Sequence, residues 1–340
     1  MTRHASRPDF SILQAQDSLT IQLPNRLTVL EAVSFKDCCH ELLQQNPLPK
    51  KIIFDFGQTN FIDSSGIGAI VHNTKAINTQ QVSLLICNLQ PPVMAVLSMT
   101  SLDRILPIQL ENTEVNTSAT TATQTAKTPT AKTQPPKTHP SIHSPVKRSI
   151  DILGAIVGLG ITAILFPFVA IAIKLDSPGP IFFSQTRCGW LGQRFSIWKF
   201  RSMCVDAEEI KVNIQNQANG AFFKNKNDPR VTRVGKFLRK TSLDEFPQFW
   251  NVLLGQMSLV GTRPPTPDEV ERYQIPQWQR LNVKPGITGE WQVNGRSLIR
   301  NFEDVIELDL RYQENWSLFY DIKLIFKTIW VLFHRDNGAV

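Results

Sequence analysis

No C-x-x-C pair occurs in the 340 residues, and the five cysteines (Cys38, Cys39, Cys87, Cys188 and Cys204) are an odd number. Both facts argue against a disulfide framework and for a reducing compartment. The start, MTRHASRPDF, lacks an apolar core, so a secretory signal is not expected there. There is no internal repeat. Long uncharged apolar runs are also scarce: residues 152–173, ILGAIVGLGITAILFPFVAIAI, form the one strong example. A multi-span transporter therefore fails for want of spans. Nucleic-acid binding would account for surplus positive charge but not for this run.

What is present divides into two halves. The net charge is +7, distributed as −1 over residues 1–112, +2 over 113–146 and +6 over 147–340. The C-terminal half should therefore meet an anionic partner, such as a phosphate or a lipid surface. Between the halves, residues 112–146 hold ten threonines and five prolines and almost nothing that builds a core. That composition predicts a flexible or extended linker. It sets the expected domains at 1–111, 112–146 and 147–340.

The first part alternates strand and helix patterns. LTIQLP, RLTVL, KIIFDF and VSLLIC read as strands. EAVSFKDCCHELLQQ has helical spacing at Ala32, Val33, Phe35, Cys39, Leu42 and Leu43. NFIDSSGIGAIVHNTKAI reads as a loop entering a helix, PPVMAVLSM as a helix opened by prolines, and ILPIQL as a closing strand. The pattern predicts a compact α/β domain. In Asp63-Ser64-Ser65-Gly66, a serine can cap the helix and the glycine permits a tight turn. The whole order resembles the STAS domain of bacterial anti-anti-sigma factors. That resemblance implies a phosphorylated serine at the position matching Ser64 and a protein partner for the domain. A phosphate there would add charge at a partner-binding surface.

Residues 152–173 are long enough to cross a bilayer as a helix. Two features argue against a simple span. Basic residues flank both ends, with Lys147 and Arg148 before the run and Lys174, Arg187, Lys199 and Arg201 after it. By the positive-inside rule both flanks belong in the cytoplasm. Pro167 also interrupts the run, and an interior proline breaks or kinks a helix. The expectation is a re-entrant helix at about residues 148–175 that breaks near Pro167 and returns. Lys147, Arg148 and Asp151 would then lie near the membrane surface, where they bind lipid head groups, stabilise the hairpin or act as snorkelling anchors.

Downstream, TSLDEFPQFWN (241–251) places Asp244 beside Glu245 among basic and aromatic residues. Two cap assignments fit: Ser242 with Glu245 as a capping box, or Asp244 itself as the cap with Pro247 in the first turn. Either puts Asp244 near a helix N-terminus, which favours an ionised carboxylate and an approaching phosphate. An ionised carboxylate facing an electrophilic phosphorus is a competent nucleophile. The adjacent acid can hold a divalent cation, preferably Mg²⁺. Arginines suit phosphate oxygens because the guanidinium fork is planar and always charged. The last apolar stretch, LFYDIKLIFKTIWVLF (318–333), with Lys323 and Lys327 four apart, fits either a membrane-interface helix or a core helix.

From KRSID (147–151) through DSPGPIFFSQTRCGW (176–190), KFRSM (199–203), TSLDEFPQFWN, SLVGTRP (258–264) and KPGITGEWQVNGR (284–296), the chain resembles the bacterial sugar transferases. These are monotopic polyprenyl-phosphate phosphoglycosyl transferases. The resemblance covers about residues 145–335. It implies a re-entrant membrane helix joined to a mainly α-helical α+β catalytic domain on the cytoplasmic face of the bacterial plasma membrane. It implies that Asp244 attacks a UDP-sugar, that a covalent aspartyl-phosphosugar forms, and that undecaprenyl phosphate then takes the sugar phosphate. The product would initiate an exopolysaccharide or related glycan. Glu245 is expected to assist by binding Mg²⁺. Lys199, Arg201, Arg263 and Arg296 are candidates for substrate phosphates, each weighed against a structural ion pair. Thr262 stands where many relatives carry proline, which blurs any inference about the sugar. A homodimer is left open. The competing expectation is a membrane-tethered signalling module with an inactive transferase half; the intact TSLDEFPQ and KPGITG argue against it.

Overall fold

The computed structural model describes residues 10–15, 18–109, 137–211, 214–221, 223, 225, 227–295, 299 and 301–333. It divides into two compact units, residues 1–136 and 137–340. The expected linker, 112–146, is shortened at its C-terminal end. Its residues 112–136 lie outside those described, whereas 137–146 pack onto the second unit. There Thr138 Oγ1 donates to the Asn282 carbonyl at 2.8 Å and receives Trp190 Nε1 at 2.7 Å, and His139 Nε2 lies 3.0 Å from the Gln313 carbonyl.

The first unit contains β1 (Ser11–Ala15), β2 (Ser18–Gln22), β3 (Arg26–Leu27), α1 (Val29–Leu42), β4 (Lys51–Asp55), β5 (Phe61–Ile62), α2 (Ser64–Thr79), β6 (Ser83–Cys87) and α3 (Pro91–Met99). The main sheet has the order β1-β2-β4-β6, with β1 antiparallel to β2 and the other pairs parallel. Leu19, Ile21, Ile52, Phe54, Leu84 and Ile86 alternate along their strands and are buried, as a sheet with one covered face requires. Of the helical positions expected in the core, Ala32, Phe35, Cys39, Leu42 and Leu43 are buried. Val33 is half-buried.

Local expectations change at the start of α2 and in ILPIQL. Asp63, not a serine, caps α2: its carboxylate accepts the Gly66 N–H at 3.0 Å. Gly66 must be glycine because a Cβ there would lie 2.5 Å from the Leu27 carbonyl. ILPIQL is no full strand; it holds a single bridge, Ile108 to Ile86, after a 3-10 turn at Leu102–Arg104.

The second unit contains α4 (Pro145–Asp176), the hairpin β7 (Phe182–Cys188) and β8 (Arg194–Phe200), α5 (Ala207–Lys211), α6 (Arg233–Thr241), α7 (Gln248–Leu253), β9 (Ser258–Val260), α8 (Pro267–Glu271), β10 (Gly286–Thr288), α9 (Glu290–Val293), α10 (Phe302–Glu314) and α11 (Leu318–Phe333). It is mainly helical, with one antiparallel hairpin and the short parallel pair β9–β10. Among the described residues α4 is the one helix long and apolar enough to cross a membrane.

The expected break at Pro167 does not occur. α4 continues through it as one helix of 32 residues. A proline forfeits one bond of the helix ladder, and the remaining bonds carry the helix on. Yet both ends of α4 are fastened to the same unit. At the start, Arg148 donates to the carbonyls of Val252 and Leu253, both at 2.7 Å. Ala155 packs with Phe195, Ile197, Val252 and Met257. At the end, Val169 and Ile173 pack with Phe200 and Leu238, and Asp176 accepts the Val234 N–H at 3.0 Å. Along the helix Ile161, Ile164, Phe168 and Ile171 are exposed, apolar side chains without protein cover among the described residues.

Candidate active site

The acidic pair sits where α6 gives way to α7. Thr232 caps α6 by accepting the Gly235 N–H at 3.0 Å. Gly235 presses on the KFRSM segment so closely that a Cβ would lie 2.0 Å from the Ser202 carbonyl. Arg239 Nε reinforces this crossing with a 2.9 Å bond to Ser202 Oγ. At the helix end Ser242 adopts a left-handed conformation, φ +56°, and returns its N–H to the carbonyls of Leu238 and Arg239. That reversal delivers the next three residues, Leu243–Glu245, as a single 3-10 turn.

Neither expected cap assignment holds. The Ser242 side chain makes no cap bond to this turn, and Pro247 precedes α7 as its cap residue. Within a three-residue turn and ahead of a helix of only six residues, Asp244 gains little from a helix dipole. A side-chain cation stands beside the acidic pair instead. Lys199 Nζ, on β8, lies 3.2 Å from Glu245 Oε1. Asp244 itself is buried, out of bulk water.

Arg187, on β7, lies within electrostatic reach of Glu245, and the sequence marked it only as a basic flank of the apolar run. It donates to the Pro264 carbonyl at 2.9 Å and to Gln185 Oε1 at 2.7 Å, both neutral acceptors. Burial, helped by the nearby Arg263 charge, brings its pKa down to about 10, against the pull of Glu269 and Glu245. A buried guanidinium held by neutral partners and sensed by Glu245 suits a phosphate. Only its place within the QTRCGW motif could have pointed to it.

The other candidates divide. Arg263 is committed to Glu269 through two parallel bonds of 2.7 and 3.0 Å. Arg201 is buried, and its guanidinium donates to the carbonyls of Ser177, at 2.7 Å, and Pro178. It thus ties the end of α4 to β8. Arg296 lies outside the described residues. Lys147 and Asp151 turn inward rather than toward head groups. Lys147 Nζ meets Asp321 Oδ2 at 2.5 Å and the Val260 carbonyl at 3.0 Å, while Asp151 accepts Ser258 Oγ and Leu259 N–H at 2.9 Å each. Pro167 stays exposed on α4. In the first unit, Ser64 is the first residue of α2 and fully buried, so a kinase would have to open this helix start to reach it.

The Arg263–Glu269 pair carries a pH prediction. Burial alone would raise the Glu269 carboxyl; the Arg263 charge and its two bonds, Arg187 and the Thr266 N–H outweigh it and hold the pKa below the ordinary value. A depressed folded pKa gives stability above the unfolded pKa, lost as pH falls through the folded one. The stability gap between wild type and Glu269→Gln is therefore expected to be constant above about pH 5 and to shrink below about pH 4. Thermal melts from pH 3.5 to 7.5 read it directly; a gap that persists into acid would refute the pairing.

Among the described residues no three His, Cys, Asp or Glu side chains converge to hold a metal by themselves. Glu245 could still hold an ion whose other ligands are water and phosphate, the usual setting for Mg²⁺.

Residues 142–335 match the family model described as bacterial sugar transferase, and residues 10–116 match that of the STAS domain. The galactosyl transferase CpsE of Streptococcus agalactiae serotype III is 52% identical over 192 residues, 56% of this chain and 42% of that protein. The UDP-glucose:undecaprenyl-phosphate glucose-1-phosphate transferase of Escherichia coli K12 is 45% identical over 191 residues, 54% of this chain and 39% of that protein. The exopolysaccharide production protein ExoY of Rhizobium meliloti is 40% identical over 189 residues, 54% of this chain and 83% of that protein. The chain thus spans about two fifths of the length of the first two relatives.

Proposed function

We infer the reaction from one premise: the chain belongs to the bacterial sugar transferase family, through its residues 142–335. We propose that it moves a sugar 1-phosphate from a UDP-sugar to undecaprenyl phosphate, beginning an exopolysaccharide or related glycan. The activity for which the Escherichia coli relative is named supports the substrate class. The observation that carries the reading is the turn bearing buried Asp244 beside the Glu245–Lys199 pair, with Arg187 close by.

In the first step an Asp244 carboxylate oxygen attacks the sugar-bearing phosphorus. A phosphorus–oxygen bond forms to Asp244, the bridging bond of the diphosphate breaks, and UMP leaves with the electron pair. In the second, a phosphate oxygen of undecaprenyl phosphate attacks the same phosphorus. The bond to Asp244 breaks, its carboxylate is restored, and an undecaprenyl diphosphate sugar departs. Lys199 and Arg187 offset phosphate charge throughout. Glu245, with diphosphate oxygens, would hold Mg²⁺, whose contribution there is charge neutralisation.

The site works at a membrane surface. The polar unit grips both ends of the unbroken α4 and stays on one side of the bilayer, so α4 sinks its exposed apolar face into the near leaflet instead of crossing. The basic flanks favour the cytoplasmic side. On α11, Phe319, Ile322, Phe326 and Trp330 form a second exposed apolar stripe, suited to the interface. The STAS-like unit is a protein-binding module in this reading.

The test is UMP release by detergent-purified chain given Mg²⁺, undecaprenyl phosphate and a panel of UDP-sugars. Sustained release with one donor, stopped by EDTA and restored by Mg²⁺, is the expected result. Silence with every donor, from protein that still melts cooperatively, would leave only the signalling reading.

A further inference from the structure

Beside the root of α4 lies a cavity of about 260 Å³ lined by Ser141, Ser144, Lys147, Arg148, Asp151 and Lys284, among others. It does not include Asp244 or Glu245. Three cations and one carboxylate face it. Lys147 is neutralised by Asp321, and Arg148 is spent on two neutral carbonyls. Asp151 is held by Ser258 and Leu259. Among the described residues Lys284 has neither a hydrogen-bond acceptor nor an ion-pair partner for its ammonium group. Burial, with Arg148 and then Lys147 close by, pushes its pKa down in spite of Asp151. A half-buried, uncompensated cation at the wall of a polar cavity is costly unless an anion joins it.

We propose that this cavity binds a lipid-borne phosphate group, held chiefly by Lys284, with the Ser144 hydroxyl as a further donor and the Arg148 charge beside it. The volume accommodates one phosphate and part of its ester. The apolar run of α4 begins at Ile152, directly after Asp151, so the cavity opens at the depth where head-group phosphates lie once α4 is buried in lipid. A net single positive charge, counting Asp321 and Asp151 ionised, matches a phosphate monoanion. The proposal rests on the membrane placement given under the proposed function, but not on the chemistry at Asp244. Two lipids carry the required group: the polyprenyl phosphate acceptor and an ordinary anionic phospholipid.

The full chain in detergent can be titrated with farnesyl phosphate and, separately, with dioctanoyl phosphatidylglycerol, reading Kd from thermal shift. UDP serves as the control ligand for the Asp244 side. Wild type is expected to bind at least one lipid phosphate, Lys284→Gln about tenfold more weakly, and Lys284→Arg close to wild type, as for the loss of one charge-assisted bond. Loss confined to farnesyl phosphate identifies an acceptor site, and loss confined to phosphatidylglycerol a bilayer-lipid site. Equal Kd values in wild type and Lys284→Gln for both lipids, or binding of neither, overturn the proposal. UDP binding unchanged in Lys284→Gln shows that the variant is folded. Failure of UDP to bind wild type would count against the proposed reaction and leave the lipid measurements to decide this site.

Discussion

Asp244→Asn is expected to lower sugar-phosphate transfer by about 10⁴-fold or more, because removing a covalent nucleophile leaves only the residual help of binding and charge. The substitution is nearly isosteric, and a buried turn at the end of α6 should keep its shape with an amide in place of the carboxylate. Glu245→Gln should cost less, about 10²-fold, since Lys199 loses its ion-pair partner but the attacking group remains. A single-turnover experiment distinguishes the two roles. Wild-type protein mixed with donor alone, without any lipid acceptor, should release about one UMP per chain and retain the sugar phosphate covalently. Asp244→Asn should release none, whereas Glu245→Gln should release the same amount slowly. Equal bursts from wild type and Asp244→Asn would remove Asp244 from the role of nucleophile.

The elements that could be read from the sequence were those with a repeating signal. The periodic apolar positions of α1, the alternation in KIIFDF and VSLLIC, and the uncharged run of α4 each report a single element buried on one face or in lipid. β1 was missed because SILQA is an exposed edge strand with no alternation to read. The acidic pair was visible as chemistry but misplaced as structure. Its geometry depends on Ser242 accepting a left-handed φ, and no residue preference announces that for serine. Arg187, Arg201 and Arg263 look alike in sequence, and only tertiary partners separate them: carbonyls for Arg201, a carboxylate for Arg263, two neutral acceptors for Arg187. Lys147 is the extreme case, since its partner Asp321 is 174 positions away.

That separation makes Lys147 the decisive residue for how the apolar helix is held. A snorkelling anchor at a membrane surface would tolerate Lys147→Met with almost no loss, because its charge would rest in water. The observed side chain is buried against Asp321, and Asp321 also accepts Tyr312 Oη at 2.9 Å and Trp316 Nε1 at 3.1 Å. Lys147→Met would strand a carboxylate among two neutral donors with no counter-charge, at a cost of about 3–5 kcal/mol. For a unit of this size that corresponds to a fall in melting temperature of roughly 10 °C. Adding Asp321→Asn to the same chain removes the stranded charge while leaving an oxygen for Tyr312 and Trp316. The double variant should therefore melt well above Lys147→Met alone, and the two losses should be far from additive. Melts of all four chains in detergent measure the coupling. Near-zero coupling with a stable Lys147→Met would return Lys147 to the membrane surface. Strong coupling would mean that the polar unit holds the start of α4 directly, and that the helix is oriented by this buried pair before any lipid is present.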